Sequence, residues 1–160
     1  MKVTSGKLST ILYSNKLDVK KFENLLSNND QGYKFFWLEA ILKLIAQNKQ
    51  LFTFEDVIDE MIVGAWRMVT HYHLRLGHTV NGNVENFLEH AIRILYECSK
   101  EDIGNKTPSK DRLLFLIQKY QDNLMEDKLH MTDYVPYRLI KPFVEKEGKD
   151  YIDRKNYGRF

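Results

Sequence analysis

Residues 33–46 read YKFFWLEAILKLIA, and they carry the clearest helical signal in the chain. Apolar residues recur there at intervals of three and four, which matches the period of an α-helix, about 3.6 residues. This stripe consists of Phe36, Trp37, Ala40, Ile41, Leu44 and Ile45. Because Phe35, Leu38 and Leu42 widen the stripe, we expect a central helix that is buried on more than one side.

Segments on both sides of this helix show similar signals. Asp18–Leu26 is typical of a short capped helix, and Thr53–Asp56 resembles a capping box at the start of a long one. Two more helices are predicted over Val84–Cys98 and from Thr107–Pro108, since proline fits the first helical position. No alternating apolar pattern competes with these signals. The sequence therefore predicts an all-α fold of about five or six helices.

The three prolines, Pro108, Pro136 and Pro142, all lie in the last third of the chain. They leave the first hundred residues or so open to long helices, and Pro136 and Pro142 punctuate the chain after Tyr134. The last residues are polar, charged and aromatic without a clear period. We therefore predict a compact helical domain over residues 1–143 and an irregular, charged linker or tail over residues 144–160.

Composition and charge exclude several classes of protein. The chain has 160 residues, of which 43% are hydrophobic and 29% charged, so it is long enough for one domain with a core. No stretch approaches the roughly 20 apolar residues of a membrane span, and the amino terminus lacks an apolar signal core. With Cys98 as the only cysteine, we predict a cytoplasmic protein without a disulfide or a Cys-rich zinc site. A net charge of +2 restricts any DNA surface to a local patch.

A histidine cluster is the most metal-like feature of the sequence. It contains His71 and His73, with His78 a little further on. On a helix, His71 and His73 diverge by about 200°, so they share a face only where the helix has ended. We interpret these residues as solvated or helix-terminal histidines and predict no metal site and no cofactor. An autonomous metalloenzyme built on them is the least favoured hypothesis.

Other candidate groups have structural interpretations. Carboxylates are paired at Glu55-Asp56, Asp59-Glu60 and Glu126-Asp127, which is typical of an exposed acidic helix face. Alternatively, Asp59 and Glu60 hold an arginine such as Arg138 within the fold. Cys98 lies on a mainly apolar helix and is predicted to be a buried, inert thiol. We assign no catalytic residue.

Three ordered segments carry a family resemblance. They are Gly32–Trp37, the run from Phe54 to Trp66, and Val135–Leu139 with Pro142-Phe143. In this order they resemble the amino-terminal region of a family of bacterial HNH endonuclease domain proteins, many of them associated with restriction or phage defence. The resemblance covers roughly residues 30 to 143.

The resemblance implies an accessory domain without an active site. In the family a nuclease module follows this region, whereas the sequence ends at Phe160 without an HNH pattern. Either this is the amino-terminal domain of a longer nuclease, or it is a relative without the nuclease.

The first hypothesis for its function is a non-catalytic accessory domain that contacts or positions double-stranded DNA. The candidate DNA-binding residues are Lys34, Arg138, Lys141, Lys146 and Lys149. Arg138 is equally suited to a salt bridge within the fold.

The alternative hypothesis is a protein-interaction or dimerisation module that makes no direct contact with DNA. The aromatic-rich helix at residues 33–46 and the segment Val135-Pro136-Tyr137 are the candidates for a self-complementary apolar patch.

Overall fold

The structure confirms the all-α prediction. A computed structural model describes residues 32–49, 51–77, 85–104 and 107–144, except for the side chains of residues 134 and 137–144. These ranges contain five helices and no strand. The helices are α1 (Tyr33–Ala46), α2 (Phe54–Thr70), α3 (Phe87–Ile103), α4 (Lys110–Lys119) and α5 (Gln121–Val144). Most of the described residues belong to one compact unit, Asn29–Arg138.

Helix α2 is the centre of this unit and packs against α1, α3 and α4. Its start is the predicted capping box: the Asp56 N–H donates to Thr53 Oγ1 at 3.1 Å, and the Thr53 N–H donates to Asp56 Oδ2 at 2.7 Å. The buried face consists of Val57, Ile58, Met61, Ile62, Ala65, Trp66 and Val69. Burying an aliphatic side chain of this size contributes about 1.5–3 kcal/mol, so this face dominates the core.

Helices α3 and α4 begin later than the sequence predicts because polar side chains cap them. Asn86 Oδ1 accepts from the Glu89 N–H at 2.8 Å, and α3 then continues to Gly104, where φ is 57°. Ser109 Oγ accepts from the Arg112 N–H at 3.3 Å, which places Pro108 before the cap of α4. Asparagine and serine satisfy the first free N–H groups of a helix, and proline at N1 does not.

Helix α5 runs through Pro136 and Pro142, where the sequence predicted punctuation. A proline inside a helix removes one backbone hydrogen bond. Leu124, Met131 and Val135 on this helix are nevertheless buried, and tertiary packing of this kind supplies most of a helix's stability in a folded protein.

The predicted helix Asp18–Leu26 and residues 145–160 of the predicted linker lie outside the described residues. The domain boundary near residue 143 therefore stays a prediction.

Candidate interaction surface

Helix α1 is apolar on two opposite faces, and only one of them is buried. Tyr33, Trp37, Ala40 and Leu44 form the buried face. On the other side, Phe35 is 46% exposed, Leu42 58% and Ile45 55%, with Leu38 half-buried between them. The prediction that α1 is buried on more than one side is therefore wrong. We call Phe35, Leu38, Leu42 and Ile45 the α1 stripe.

Three contacts fix the direction in which the α1 stripe faces. Gly32, with φ 68°, lies so close to the Leu76 carbonyl that an added Cβ would be 2.6 Å from its oxygen. The Tyr33 hydroxyl accepts from the Phe87 N–H at 2.7 Å, and Trp37 packs on Phe54 with ring centroids 5.7 Å apart. Burial raises the pKa of Tyr33 to about 12, so its hydroxyl stays protonated.

Charged side chains flank the α1 stripe. Lys34 is half-buried on one flank. On the other flank Lys43 pairs with Glu39 at 2.8 Å, and both side chains are about half exposed. An added Cβ at Gly64 of α2 would have Lys43 Nζ as its nearest neighbour, at 3.4 Å. Gly64 therefore faces a flexible side chain, and no close backbone approach requires it.

A second candidate site is the polar cluster at the start of α3. Glu89 is fully buried, and its Oε1 lies 3.0 Å from Arg75 Nε and 3.4 Å from Arg93 Nη2. Its Oε2 accepts from the Leu76 N–H at 3.3 Å. Sequence reasoning missed Glu89, although Asn86 three residues earlier gives the spacing of a capping box. Its contacts with Arg75 and Leu76 attach the segment after α2 to α3, which is a structural role.

A histidine–aspartate pair joins α3 to α5 beside this cluster. His90 Nδ1 lies 2.9 Å from Asp127 Oδ2; the imidazole is half exposed, whereas the carboxylate is buried. Burial raises the pKa of Asp127, and the hydrogen bond with His90 lowers it in part. His130 stacks on Phe87 with centroids 4.5 Å apart. Such a pair orients an imidazole and holds α3 against α5.

Of the paired carboxylates of α2, Glu55 is exposed as predicted, whereas Asp59 and Glu60 are not. Glu60 is buried and pairs with Lys110 of α4. Lys128 of α5, which is itself buried, reaches Asp59 Oδ1 at 2.7 Å and Glu55 Oε1 at 3.2 Å. Two lysines thus hold these carboxylates in place of the expected arginine. The side chain of Arg138 is outside the described residues.

The structure places His71 and His73 near the end of α2, as predicted, but does not bury Cys98 completely. Helix α2 ends at Thr70, so His71 is a helix-terminal residue and His73, with φ 51°, lies outside the helix. His78 is not among the described residues. Within the described ranges no group of three or more His, Cys, Asp and Glu side chains is placed to hold a metal ion. Cys98 was predicted to be buried but is only half-buried.

Of the five predicted DNA-binding residues, the structure describes the side chain of Lys34 alone. Lys34 lies at the first turn of α1, and the backbone of Arg138 and Lys141 belongs to the last part of α5. The side chains of Arg138 and Lys141, and the whole of Lys146 and Lys149, are outside the described residues. DNA contact therefore stays a prediction.

The other predicted apolar patch is largely in the core. Val135 is 2% exposed and Pro136 is buried, so among the described side chains of the two predicted patches the exposed apolar ones belong to the α1 stripe. The side chain of Tyr137 is not described.

Comparison with known proteins identifies no relative. No protein-family model, no curated protein and no solved structure matches the chain. In the part of the chain that the structure describes, no helix is both long and apolar enough to cross a membrane.

Proposed function

We propose that this domain is a protein-interaction module that self-associates through the α1 stripe. The observation that supports this proposal is the placement of Phe35, Leu42 and Ile45 at the surface of a helix whose other face is already in the core. A helix that is apolar all round is normally buried on all sides. Contiguous exposed apolar residues on one chain typically mark an interaction site.

The partner is a second copy of the same chain. The α1 stripe has the spacing three, four, three, which matches the spacing of apolar residues along the seam of a two-stranded coiled coil. A seam of this kind is complementary to itself, as a two-fold symmetric interface requires. Lys34 and Glu39 on the two flanks carry opposite charges, which suits an apolar centre with a polar rim.

This role is compatible with an accessory function in an HNH-type DNA endonuclease. The resemblance supports that function, whereas the exposed side chains support self-association. An accessory domain that dimerises positions two copies of whatever module it carries. Salt-dependent binding of duplex DNA tests the DNA contact separately.

Sedimentation velocity over a concentration series tests the proposal. The wild-type chain is expected to shift from one to two chain masses as its concentration rises. Leu42→Lys places a charge in the seam and is expected to keep the protein monomeric throughout, because a buried unpaired charge opposes association. Circular dichroism confirms that the variant keeps its helices.

Leu129→Lys is the matched control, because Leu129 on α5 is 59% exposed and Leu42 is 58% exposed. This control is expected to dimerise like the wild type. A wild-type chain that remains monomeric at the highest concentration contradicts the proposal. Equal loss of dimer in both variants contradicts the assignment to the α1 stripe.

A further inference from the structure

The chain leaves α2 through an exposed loop that contains an aromatic residue and no carboxylate. The five residues of this loop are all exposed, and they are His71, Tyr72, His73, Leu74 and Arg75. We call them the α2-end loop. The sequence has no Asp or Glu between Glu60 and Glu85. The loop therefore presents positive charge and hydrogen-bond donors without an acidic residue of its own.

Backbone hydrogen bonds fix the shape of the α2-end loop. The His71 and Tyr72 N–H groups donate to the Arg67 carbonyl at 3.1 Å and 3.0 Å. The Leu74 N–H donates to the Met68 carbonyl at 2.8 Å. These bonds occupy carbonyl oxygens at the negative end of α2, which would otherwise repel an anion. A loop that is ordered before its ligand arrives loses little entropy on binding.

His73 has a backbone conformation that favours glycine. Its φ is 51°, in the left-handed region, where a residue with a side chain costs on the order of 1 kcal/mol or more. Glycine adopts this conformation without that cost. The chain thus has an imidazole where glycine would suit the backbone better, and such strain points to a role for the side chain.

The Tyr72 ring is held in place by two neighbours and still remains accessible. The guanidinium carbon of Arg67 lies 6.0 Å from the ring centroid, and the His71 ring lies nearly perpendicular to it with centroids 4.8 Å apart. Tyr72 is nevertheless 57% exposed. Proteins stack the bases of unpaired strands on exposed aromatic rings of this kind, while nearby cations attract the phosphates.

Another aromatic–arginine pair of the fold differs from this one in its charge environment. The guanidinium carbon of Arg112 lies 5.0 Å from the Phe115 ring centroid, and Phe115 is 52% exposed. However, Asp102 pairs with Arg112 at 3.5 Å and with Lys119 at 2.7 Å. A carboxylate at this place offsets the positive charge and repels phosphate. Phe115 and Arg112 therefore provide a matched control for Tyr72 and Arg67.

We propose that the α2-end loop, together with Arg67, binds single-stranded nucleic acid. A base stacks on the Tyr72 ring, and the Arg67 guanidinium contacts a phosphate. The imidazole N–H groups of His71 and His73 donate hydrogen bonds to phosphates or base edges. Because the bases of a duplex are stacked on their neighbours, the site prefers an unpaired strand. None of these residues belongs to the α1 stripe, so this inference is independent of the proposed self-association.

Fluorescence anisotropy of a labelled thymidine oligomer of about ten nucleotides, titrated with the full chain at low salt, tests the stacking. Tyr72→Ala is expected to bind this oligomer on the order of tenfold more weakly than the wild type. Tyr72→Phe keeps the ring and is expected to bind like the wild type. Phe115→Ala is expected to bind like the wild type as well.

A uridine oligomer and a thymidine–adenosine duplex of the same length are titrated in parallel. Tighter binding of one of the two single strands supports the site and identifies the sugar that it favours. Failure of the wild type to bind either single strand overturns the proposal, and so does an equal loss in Tyr72→Ala and Phe115→Ala. A duplex that binds as tightly as the single strands excludes stacking on Tyr72.

Two further variants test the contacts around the ring. Arg67→Ala is expected to reduce the slope of log K against log salt concentration by about 0.7, the value for one phosphate, whereas Arg112→Ala leaves the slope unchanged. His73→Gly is expected to unfold at an equal or higher urea concentration and to bind the thymidine oligomer several-fold more weakly. A His73→Gly chain that is less stable but binds normally would show that this imidazole serves the fold alone.

Discussion

Two regions depart from the usual pattern of apolar residues inside and charged residues outside. The α1 stripe exposes apolar side chains, and the start of α3 buries a charged one. The α1 stripe places Phe35, Leu42 and Ile45 at the surface. The start of α3 buries Glu89 completely. The two regions differ in where their interaction partners lie. The carboxylate of Glu89 pairs with Arg75 and Arg93 of the same chain. The α1 stripe would gain its partner through the proposed self-association.

The physical costs of the two arrangements differ accordingly. An unpaired buried carboxylate costs several kcal/mol, so a folded chain retains one only with cations and hydrogen-bond donors around it. An exposed leucine merely forgoes the roughly 1.5–3 kcal/mol that burial contributes. A folded domain therefore tolerates an exposed apolar stripe that binds a partner, whereas an unpaired buried charge would destabilise the fold.

The largest effect on stability is expected when Glu89 is replaced. Glu89→Ala removes the acceptor for the buried Leu76 N–H and for two arginines, and is expected to lower the free energy of unfolding by about 3 kcal/mol. Urea unfolding measures the change at one protein concentration. Glu97→Ala, at an exposed position of the same helix, is the control and should leave stability nearly unchanged. If the two variants lose the same amount, the cluster does not stabilise the fold.

A pH-dependent effect is expected at Asp59. Burial raises the pKa of Asp59 above its ordinary value of 3.8, although the contact with Lys128 lowers it in part. Such a carboxyl binds more protons in the folded chain, so its contribution to stability is present below pH 3.8 and is lost as the pH rises through the raised pKa.

Asp59→Asn removes this titration. The stability of the wild type minus that of Asp59→Asn is expected to fall as the pH rises above 3.8 through the raised pKa of Asp59. Urea unfolding at a series of pH values, at one fixed protein concentration, measures the difference. A difference that rises over this range would mean that the lysine outweighs burial at Asp59.

The smallest effect on folding is expected within the α1 stripe. Leu42→Ala should change the free energy of unfolding of the monomer by less than about 0.5 kcal/mol, because Leu42 is mostly exposed. Leu44→Ala, on the buried face of the same helix, should cost about 2–5 kcal/mol. Both are measured at protein concentrations too low for association. Similar losses would mean that Leu42 packs within its own chain.

Local signals in the sequence were reliable where the partner atoms are neighbours in the chain. The capping box at Thr53 depends only on spacing, so it could be predicted. Helices α3 and α4 begin later than predicted because Asn86 and Ser109 cap them, and neither proline nor an apolar residue determines a cap. The passage of α5 through Pro136 could not be predicted, because it depends on burial against distant residues.

The candidate surface could be predicted only in part. The sequence identified α1 as an apolar helix and as a possible patch, but it assigned Phe35, Leu38 and Leu42 to the core. Periodicity states which residues share a face and does not state how many faces are covered. For the same reason Val135 was assigned to a patch, although it is 2% exposed.

By itself, the sequence determined that this chain forms an all-α fold, because helical period and capping act between residues a few positions apart. Only the tertiary structure decided which apolar face stays at the surface and which cation pairs with each buried carboxylate. Lys128 lies far along the chain from Asp59, and Glu89 lies on a different element from Arg75. Such pairs are fixed by the packing of whole helices, and that packing is a property of the folded core.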